Sequence, residues 1–332
     1  MKNLYDKTFQ DDVSVVMPVF NRASTISYCI ESIVNQTFLP KEIICVDDCS
    51  TDDTKNVIIA LSKKYANVTI KYFCLDKNSG ANVARSHGIR IASSMWIAFL
   101  DSDDEWEPDK LEKQMMVVRE YGYIENIVVH GNCTVVDYAS GKSFFWQLPF
   151  VDGDAEFVHK RLLCAPGPAF PCILTSKKAL ETVGMLDGNV PAYQEWDTSL
   201  LLSKICRFVH LPDSLFRYHV HDGSIFRKPK RDFLGYQYIL DKWKDEIALY
   251  CNELQIYKHF RVQIIKLIDL NERANAKKYI NEYFKDGDMF LRFIWLCVAG
   301  FRGRGIRLAD IFMYVRICGV NGVMKRMLNK KE

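Results

Sequence analysis

Three carboxylates end an apolar run near residue 100, and their spacing is the strongest chemical signal in the sequence. The run from Trp96 to Leu100 has the composition of a strand buried on both faces, and Asp101, Asp103 and Asp104 follow it directly. In an extended segment residues i and i+2 point the same way, so Asp101 and Asp103 can converge on one ion. Carboxylate oxygens suit Mg²⁺ or Mn²⁺, which keep open positions for substrate phosphates.

A bare acidic turn and a calcium-binding loop are the alternatives for this stretch. Acidic residues stand at positions one, three, five and twelve of a calcium loop: Asp101, Asp103, Glu105 and Glu112. Position six is Trp106, where such a loop needs glycine, and a strand precedes the run where a helix is expected. The sequence therefore favours a divalent-cation site and leaves the bare acidic turn open.

Two earlier apolar runs also end in polar residues. Residues 13–20 are rich in β-branched side chains and predict a strand, which Pro18 brings to an end. Asn21 and Arg22 follow as a turn. The run 42–46 stops at Asp47 and Asp48. Ligands of open α/β sheets bind beyond the carboxyl ends of the strands, so we expect these polar residues to share one edge with Asp101 and its neighbours.

The segments between these runs predict helices and a parallel sheet. One apolar stripe recurs at helical spacing from Ile26 to Val34, and strand, helix and strand in this order imply a right-handed crossover. Gly80 permits a tight turn before a further helix, and Gly88 gives that helix a thin face for close packing. Arg85 lies on its first turns, where the guanidinium can reach a phosphate or pair with the aspartates. Both interpretations of Arg85 stay open.

The bulk composition limits the class of protein. The chain has 332 residues, 48% of them hydrophobic, and a net charge of +3, which gives no reason to expect nucleic acid as a partner. Its 11 cysteines form no C-x-x-C pair, which is typical of core thiols in a reducing compartment. The polar N-terminus has no signal-peptide pattern, and the apolar run 290–300 is too short to span a bilayer. We therefore expect a cytoplasmic protein.

Five ordered blocks in the first hundred residues resemble the successive signatures of glycosyltransferase family 2, whose members are inverting transferases of GT-A fold. The blocks are residues 14–22, 32–38, 46–52, 78–85 and 99–104. The resemblance implies an α/β fold, with a Rossmann-like, mainly parallel sheet flanked by helices. It further implies a nucleotide-sugar site on the carboxyl edge of that sheet, with UDP as the expected nucleotide.

The resemblance also suggests a role for each polar residue at that edge. Donor-binding residues would be Pro18, Val19, Phe20, Asn21, Arg22, Asp48, Asn78, Arg85, Asp101 and Ser102. Asp103 would be the direct ligand of Mg²⁺ or Mn²⁺, and Asp101 would face the ribose or the water shell of the metal. The diphosphate is the leaving group, and a cation on its oxygens neutralises the charge that grows as the sugar bond breaks.

A second acidic segment, residues 193–202, begins an apolar helix with Glu195 and Asp197. Acidic residues in a first helical turn are ordinary, and each contributes a few tenths to about 1 kcal/mol. In the family that the chain resembles, however, a similar segment lies over the sugar and supplies the general base. Glu195 matches that base, and Asp197 is the alternative. A positioned base contributes about a hundredfold to ten-thousandfold to the rate.

A closing motif, residues 216–224, resembles a Tyr-Arg-x-His-x-x-Ser pattern of the family. In that register His221 matches a histidine near the metal and diphosphate, and His219 stands where an arginine is usual. The missing arginine puts a cationic contact to the diphosphate in doubt, unless Arg217 or Arg227 supplies it. Two histidines at i and i+2 are by themselves more often structural than metal ligands.

Beyond these motifs the sequence predicts helices. We expect a catalytic domain over residues 1–230, with a nucleotide-sugar half (1–106) and an acceptor half (107–230), and a helical extension over 231–332. Residues 301–332 carry eight basic and two acidic residues among apolar ones. This segment is expected either to make peripheral contact with an anionic membrane or to pack as a helical cap on the catalytic domain.

The sequence as a whole predicts an inverting glycosyltransferase. The enzyme would move a sugar from a nucleoside diphosphate donor to a hydroxyl of a glycan or lipid-linked acceptor in bacterial surface-polysaccharide synthesis, at the inner face of the cell membrane. One alternative is a catalytically silent sugar-binding scaffold, and the intact acidic residues argue against it. A nucleotidyltransferase is the other, but the glycine- and lysine-rich phosphate loop that it needs is missing near the first strand.

Overall fold

The computed structural model describes residues 11–137, 140–220, 228–285, 292–293 and 295–297. The chain divides into two compact units, Met1–Ser224 and Ile225–Glu332, close to the boundary at residue 230 that the sequence suggests. His221, Arg227 and the basic segment 301–332 lie outside the described residues.

The first unit is built on a nine-stranded mixed sheet. Its strands are β1 Val13–Val19, β2 Glu42–Asp47, β3 Thr69–Cys74, β4 Trp96–Phe99, β5 Glu105–Trp106, β6 Ile127–Asp137, β7 Lys142–Trp146, β8 Leu174–Ser176 and β9 Arg207–Val220. Their order in the sheet is β3-β2-β1-β4-β8-β6-β9-β5, with β7 paired to β6.

Seven helices accompany this sheet in the described part of the first unit. They are α1 Ile26–Val34, α2 Thr54–Lys64, α3 Ala81–Ile91, α4 Lys110–Glu120, α5 Ala155–Leu162, α6 Lys177–Thr182 and α7 Gln194–Leu202, with a 3-10 turn at Phe170–Cys172.

The half of the sheet formed by β3, β2, β1 and β4 is parallel, as the sequence predicts. Every residue of β1, β2 and β4 is buried, which explains why these strands are continuous apolar runs rather than alternating ones. The apolar stripe of α1 is confirmed, since its buried residues are Ile26, Cys29, Ile30, Ile33 and Val34. All carboxyl ends of these strands therefore meet at one edge.

Gly88 fixes how closely α3 approaches this sheet. A Cβ atom at residue 88 would lie 2.6 Å from Cγ1 of Val16 on β1 and 3.3 Å from Cγ2 of Val46 on β2. Real carbon atoms do not approach so closely, so glycine is required for this packing. The thin helix face predicted from the sequence is confirmed, and it holds Arg85 on α3 close to the strand ends.

The other half of the sheet is mixed. Strand β8 pairs antiparallel with β4 and β6, and β5 pairs antiparallel with β9, while β6 and β9 run parallel. The expectation of a mainly parallel sheet therefore describes only the first half. Antiparallel strands tolerate one solvated face, and β7 is exposed along its whole length.

The second unit is helical, as expected. Its described helices are α8 Pro229–Lys242, α9 Lys244–Tyr250, α10 Glu253–Asp269 and α11 Arg273–Tyr283. Helix α10 begins with a capping box between Asn252 and Gln255, and its buried face packs around Tyr257 and Phe260. Among the helices that the structure describes, none combines the length and apolar character needed to cross a bilayer.

Candidate active site

Two arginines neutralise the two aspartates at the end of β4. Nη2 of Arg85 lies 2.5 Å from Oδ1 of Asp101, and Nη2 of Arg22 lies 2.9 Å from Oδ2 of Asp103. The Arg85 side chain is 5% exposed, whereas the carboxylates of Asp101 and Asp103 are 34% and 21% exposed. Each carboxylate therefore has a cationic partner on the protein side and a surface open toward solvent.

The turn after β1 places Arg22. Asn21 has a positive φ of 52°, its backbone N–H donates to Oγ of Ser50, and its side-chain oxygen accepts from the N–H of Thr51. The backbone N–H of Arg22 donates to Oγ1 of Thr54 at 2.8 Å. Asparagine is one of the few residues that adopt this conformation readily, because its short side chain bonds locally. The polar segment after β2 thus holds the turn that aims Arg22 at Asp103.

Ser102 and Asp104 support the aspartate pair from below. The Ser102 carbonyl accepts a 2.7 Å hydrogen bond from Oγ1 of Thr25, so Ser102 contacts the start of α1 through its backbone. Asp104 is 2% exposed and accepts a 3.1 Å hydrogen bond from the backbone N–H of His219. Burial, then the charges of Asp103 and Asp101, raise the pKa of Asp104 well above its usual range. Asp104 is therefore a structural carboxyl group.

Asp48 shapes the neighbouring part of the edge. Its Oδ1 accepts from the N–H of Ser79 at 2.6 Å and its Oδ2 accepts from the N–H of Gly80 at 2.8 Å. The side chain of Asn78 donates to the Asp48 carbonyl at 3.0 Å. Asp48 is 5% exposed, so in this structure it primarily fixes the turn that leads into α3. Its predicted contact with a nucleoside stays a prediction.

At the end of β1, the residues predicted to bind the donor offer backbone groups and the exposed ring of Phe20. The side chains of Pro18 and Val19 are buried, and the Val19 carbonyl accepts a 2.8 Å hydrogen bond from the N–H of Asp48. Phe20, the next residue, is 43% exposed. Of the three residues predicted here, Phe20 is the one whose side chain is available to a ligand.

Arg85 connects this edge to the second acidic segment. Its Nη1 donates to Oε1 of Gln194 at 2.9 Å and to Oδ1 of Asn82 at 3.3 Å, and its guanidinium lies 4.2 Å from the centre of the Phe170 ring. Gln194 is the first residue of α7, and Glu195 follows it. Gln194, 109 positions after Arg85, is thus tied to Asp101 through one guanidinium.

Glu195 lies within electrostatic range of the aspartate pair. Burial raises the pKa of its carboxyl group, the charge of Arg85 lowers it, and the charge of Asp101 raises it again. The residue is half-buried, whereas Asp197 has 0% exposure inside α7. Of the two candidate bases, Glu195 is therefore the one that an acceptor hydroxyl can approach.

Helix α7 begins with a strained residue. Tyr193 precedes Gln194 with a φ of 62° and a ψ of 34°, a left-handed conformation that is rare for an aromatic residue. The indole of Trp196 packs edge-on against Tyr193 and donates a 2.7 Å hydrogen bond to the Leu162 carbonyl. Such strain is of order 1–3 kcal/mol and persists where packing enforces it. Here it directs Gln194 and Glu195 toward Arg85.

Strand β9, which carries the first part of the closing motif, places less positive charge near the aspartates than the family's arginine would. Nε2 of His219 lies 3.3 Å from Oε2 of Glu105, and burial lowers the histidine pKa. Arg217, one of the two proposed substitutes, is paired with Glu107 at 3.1 Å on the surface. Among the described residues, the cations at the aspartates are Arg22 and Arg85, which come from the first hundred residues.

Two observations bear on which ligands fit this site. Within the described residues no three acidic, histidine or cysteine side chains converge as a complete metal site. Mg²⁺ needs only one or two protein carboxylates when phosphates complete its shell, so Asp101 and Asp103 fit a cation that binds with a diphosphate. The buried Nε atoms of Arg22 and Arg85 have no hydrogen-bond partner among the described residues, which fits an anionic ligand nearby.

Sequence reasoning missed the linking residue, Gln194. Its position directly before Glu195 was the only available signal, and its partner Arg85 is distant in the chain. A cavity of about 270 Å³ lies between α1 and β5 and is lined by residues that include Tyr28, Glu31 and Arg217. None of the predicted donor-binding or catalytic residues lines that cavity, although Arg217, a proposed substitute for the missing arginine, does.

The fold, with paired acidic and basic residues at the carboxyl ends of its parallel strands, is that of a GT-A glycosyltransferase. The family model described as Glycosyl transferase family 2 matches residues 14–184, more than half of the chain. The protein therefore belongs to glycosyl transferase family 2, as the five sequence blocks predict.

Several bacterial glycosyltransferases are similar in sequence. A putative teichuronic acid biosynthesis glycosyltransferase of Bacillus subtilis, TuaG, is 41% identical over 108 residues, which cover 32% of this chain and 42% of TuaG. A poly(ribitol-phosphate) beta-glucosyltransferase of Bacillus spizizenii is 43% identical over 95 residues, covering 28% of this chain and 15% of that enzyme. The chain thus spans less than half the length of either relative.

A solved structure supports the fold over most of the chain. Residues 1–349 of TarS from S. aureus, in complex with UDP-GlcNAc, give a TM-score of 0.54 at 17% identity, and the match covers 88% of each chain. The same TarS fragment has also been solved in complex with UDP. At this identity the likeness establishes a shared fold.

Proposed function

We propose that this protein transfers one sugar from a UDP-sugar donor to a hydroxyl group of a glycan or lipid-linked acceptor, with inversion at the anomeric carbon. The single observation that carries the proposal is the chain of contacts from Asp101 through Arg85 to Gln194, beside Glu195. It unites a diphosphate-binding edge with a general base, which are the two parts that an inverting transfer requires.

Glu195 acts as the general base. An acceptor hydroxyl gives its proton to the Glu195 carboxylate as its oxygen attacks the anomeric carbon from the face opposite the diphosphate. Burial raises the pKa of Glu195 and brings it closer to neutrality, which improves a carboxylate as a base at physiological pH. Asp197, buried within α7, contributes to the helix rather than to proton transfer.

Arg22 and Arg85 stabilise the departing diphosphate. Each donates one N–H to an aspartate and keeps a buried Nε–H without a partner among the described residues. A fixed guanidinium costs no reorganisation when charge develops on the leaving group, so its contribution is realised in the transition state. These arginines take the place of the cationic contact that His219 does not supply.

Asp101 and Asp103 would hold Mg²⁺ or Mn²⁺. When bound, the cation neutralises negative charge on the diphosphate oxygens. The partial exposure of both carboxylates supports this assignment. The nucleoside would lie beyond β2, with its base against the exposed ring of Phe20 and its ribose toward Asp48 and Asn78.

Cell-surface polysaccharide assembly is the proposed setting. It is supported by the names of the similar proteins, one assigned to teichuronic acid biosynthesis and another acting on poly(ribitol-phosphate). A place at the inner face of the cell membrane remains a prediction, since the basic segment 301–332 lies outside the described residues.

A donor screen tests the proposal. Nucleotide-sugar hydrolysis is measured for a panel of UDP- and GDP-sugars with and without Mn²⁺, and then for Asp103→Asn and Glu195→Gln. We expect UDP-sugars to be cleaved, Asp103→Asn to lose metal-dependent UDP binding, and Glu195→Gln to bind UDP normally with at least about a hundredfold slower turnover.

Asp197→Asn is the matched control for the base. It removes a carboxylate from the same helix, two residues away. We expect it to lower the free energy of unfolding and to leave the turnover of the folded enzyme nearly unchanged. Normal turnover by Glu195→Gln together with loss of turnover in folded Asp197→Asn would show that the base is misassigned. Failure of every nucleotide sugar to bind would favour a scaffold role.

A further inference from the structure

Two cysteine thiols meet where β2 and β3 end. Cys49 follows Asp48, and Cys74 is the last residue of β3. The Leu75 carbonyl accepts hydrogen bonds from both sulfurs, at 2.9 Å from Cys49 Sγ and 3.4 Å from Cys74 Sγ. The Cys74 thiol is also close enough to raise the pKa of Cys49. Both sulfurs therefore lie beside the same carbonyl oxygen.

The two thiols differ in exposure. Cys74 is exposed and Cys49 is partly buried. An accessible thiol beside a second, more sheltered one is the arrangement of a reactive and a resolving cysteine. Burial, the neighbouring Cys74 and the charge of Asp48 raise the pKa of Cys49. The exposed Cys74 thiol is the one that an oxidant reaches first.

The backbone at Cys49 adds a second observation. Its φ is 64°, a left-handed conformation in which glycine is free of strain and a residue with a side chain is not. The chain nevertheless carries a cysteine here, with its sulfur bonded to the Leu75 carbonyl that also accepts from Cys74. The strained residue lies between Asp48, which holds the N–H groups of Ser79 and Gly80, and Ser50, which accepts from Asn21.

We propose that Cys49 and Cys74 form a reversible disulfide that alters the edge beyond β2. The inference rests on the proposed function in one respect, namely that UDP binds at this edge. With oxidised glutathione as oxidant, the Cys74 thiolate attacks one glutathione sulfur, the glutathione disulfide breaks, and one glutathione thiolate leaves. Cys49 then loses its proton and attacks the Cys74 sulfur, which releases the second glutathione. Two protein thiols are oxidised and one glutathione disulfide is reduced to two thiols.

Closing this bond moves residues that hold the binding edge. The Cys49 sulfur must leave the Leu75 carbonyl, and the backbone on both sides of it carries Asp48 and Ser50. Loss of roughly one charge-assisted hydrogen bond from Asp48 weakens ligand binding about tenfold. In a reducing compartment the dithiol form predominates, and the disulfide forms when the thiol pool is oxidised.

The experiment uses the full chain, equilibrated in glutathione buffers of increasing oxidation. Peptide mapping by mass spectrometry without reduction detects the 49–74 link, hydrogen exchange reports on the Ser79 and Gly80 amides, and calorimetry measures UDP affinity. Cys74→Ser is the variant that cannot form the link, and Cys164→Ser, which removes another partly exposed thiol, is the matched control.

We expect the link in wild type and in Cys164→Ser, with faster exchange at residues 79–80, about tenfold weaker UDP binding and full reversal by dithiothreitol. Cys74→Ser should show none of these changes. The proposal is overturned if no 49–74 link forms while other thiols are oxidised, or if the link forms and leaves amide exchange unchanged. If reduced wild type does not bind UDP, the proposed function fails, and mapping and exchange still decide the disulfide.

Discussion

Nη1 of Arg85 lies 2.9 Å from Oε1 of Gln194, and this hydrogen bond joins the aspartate edge of the sheet to the start of α7. The same guanidinium holds Asp101, so the position of the proposed base, Glu195, depends on a residue that also neutralises the proposed donor edge. Binding and base positioning are thereby coupled through one side chain.

Gln194→Ala tests this coupling. Removing the amide releases the first turn of α7, and a displaced base costs about tenfold to a hundredfold in kcat because the attack geometry is lost. KM for the donor and the dissociation constant of UDP should change little, since Asp103 and Arg22 remain. Gln194→Glu keeps an acceptor for Arg85 and should recover most of kcat. A fall in UDP affinity equal to the fall in kcat would contradict a positioning role.

The pH dependence of turnover should report on Glu195. Burial raises its pKa, so the acid limb of the kcat profile is expected above the usual range of a glutamate. Arg85 lowers that pKa by its charge, and Arg85→Met should therefore move the limb to higher pH. Arg22→Met is the control, because Arg22 pairs with Asp103, and it should leave the limb in place. A limb that moves to lower pH in Arg85→Met would refute the assignment.

Arg22 should compete with a divalent cation for Asp103. The two side chains are partly exposed, and such ion pairs contribute about 0.2–1 kcal/mol. Arg22→Met is thus expected to tighten Mn²⁺ binding to the donor-free protein about two- to fivefold, measured by titration calorimetry. UDP binding in the presence of Mn²⁺ should weaken, since the diphosphate loses a guanidinium. Lys64→Met, which removes a surface pair with Glu31, should change neither affinity.

The fold of the first hundred residues could be predicted from the sequence because their structure follows from local patterns. Buried parallel strands must be apolar throughout, and β1, β2 and β4 all end where their apolar runs stop. The shared edge follows from the right-handed crossover, so the placement of Arg22, Asp48 and Asp101 at one edge of the sheet could be predicted. The mixed half of the sheet could not be predicted, because the short strands β5 and β8 are positioned by pairing with β9 and β4, which are distant in sequence.

The partners of the site residues were less predictable than their positions. The sequence left Arg85 between a phosphate contact and an ion pair, and the structure gives the ion pair with Asp101. The bonds that the Asp48 carboxylate accepts from the Ser79 and Gly80 N–H groups could not be predicted, and its contact with a nucleoside stays a prediction. Hydrogen-bond partners depend on side-chain geometry, which periodicity and spacing do not determine.

Gly88→Ala should destabilise the first unit. The added methyl would meet Val16 Cγ1 at 2.6 Å, and overpacking of this kind costs about 1–3 kcal/mol. The free energy of unfolding from urea denaturation measures the loss. Val16→Ala alone creates a cavity, but in combination with Gly88→Ala it makes room for the added methyl group. The double variant should therefore lose less free energy of unfolding than the sum of the losses in the two single variants. Strictly additive losses would show that α3 does not pack as described.

Lys110 should make stability depend on pH. Its ammonium group is fully buried, 2.7 Å from Oε1 of Gln114 and 4.0 Å from the centre of the Trp106 ring, and burial lowers its pKa from 10.5 to about 7. Between these values the unfolded chain binds a proton that the folded protein does not. Stability therefore rises with pH above about 7, by at most about 1.4 kcal/mol per pH unit.

Lys110→Met removes the titrating group and should abolish this rise, whatever it does to stability at a single pH. Urea denaturation at intervals from pH 7 to pH 9 measures the slope. Lys113→Met is the matched control: Lys113 lies one turn along the same helix, is 31% exposed and pairs with Asp109 and Asp213. Its removal should leave the slope intact. Parallel pH profiles for wild type and Lys110→Met would mean that Lys110 stays charged when folded, held by Gln114 and the Trp106 ring.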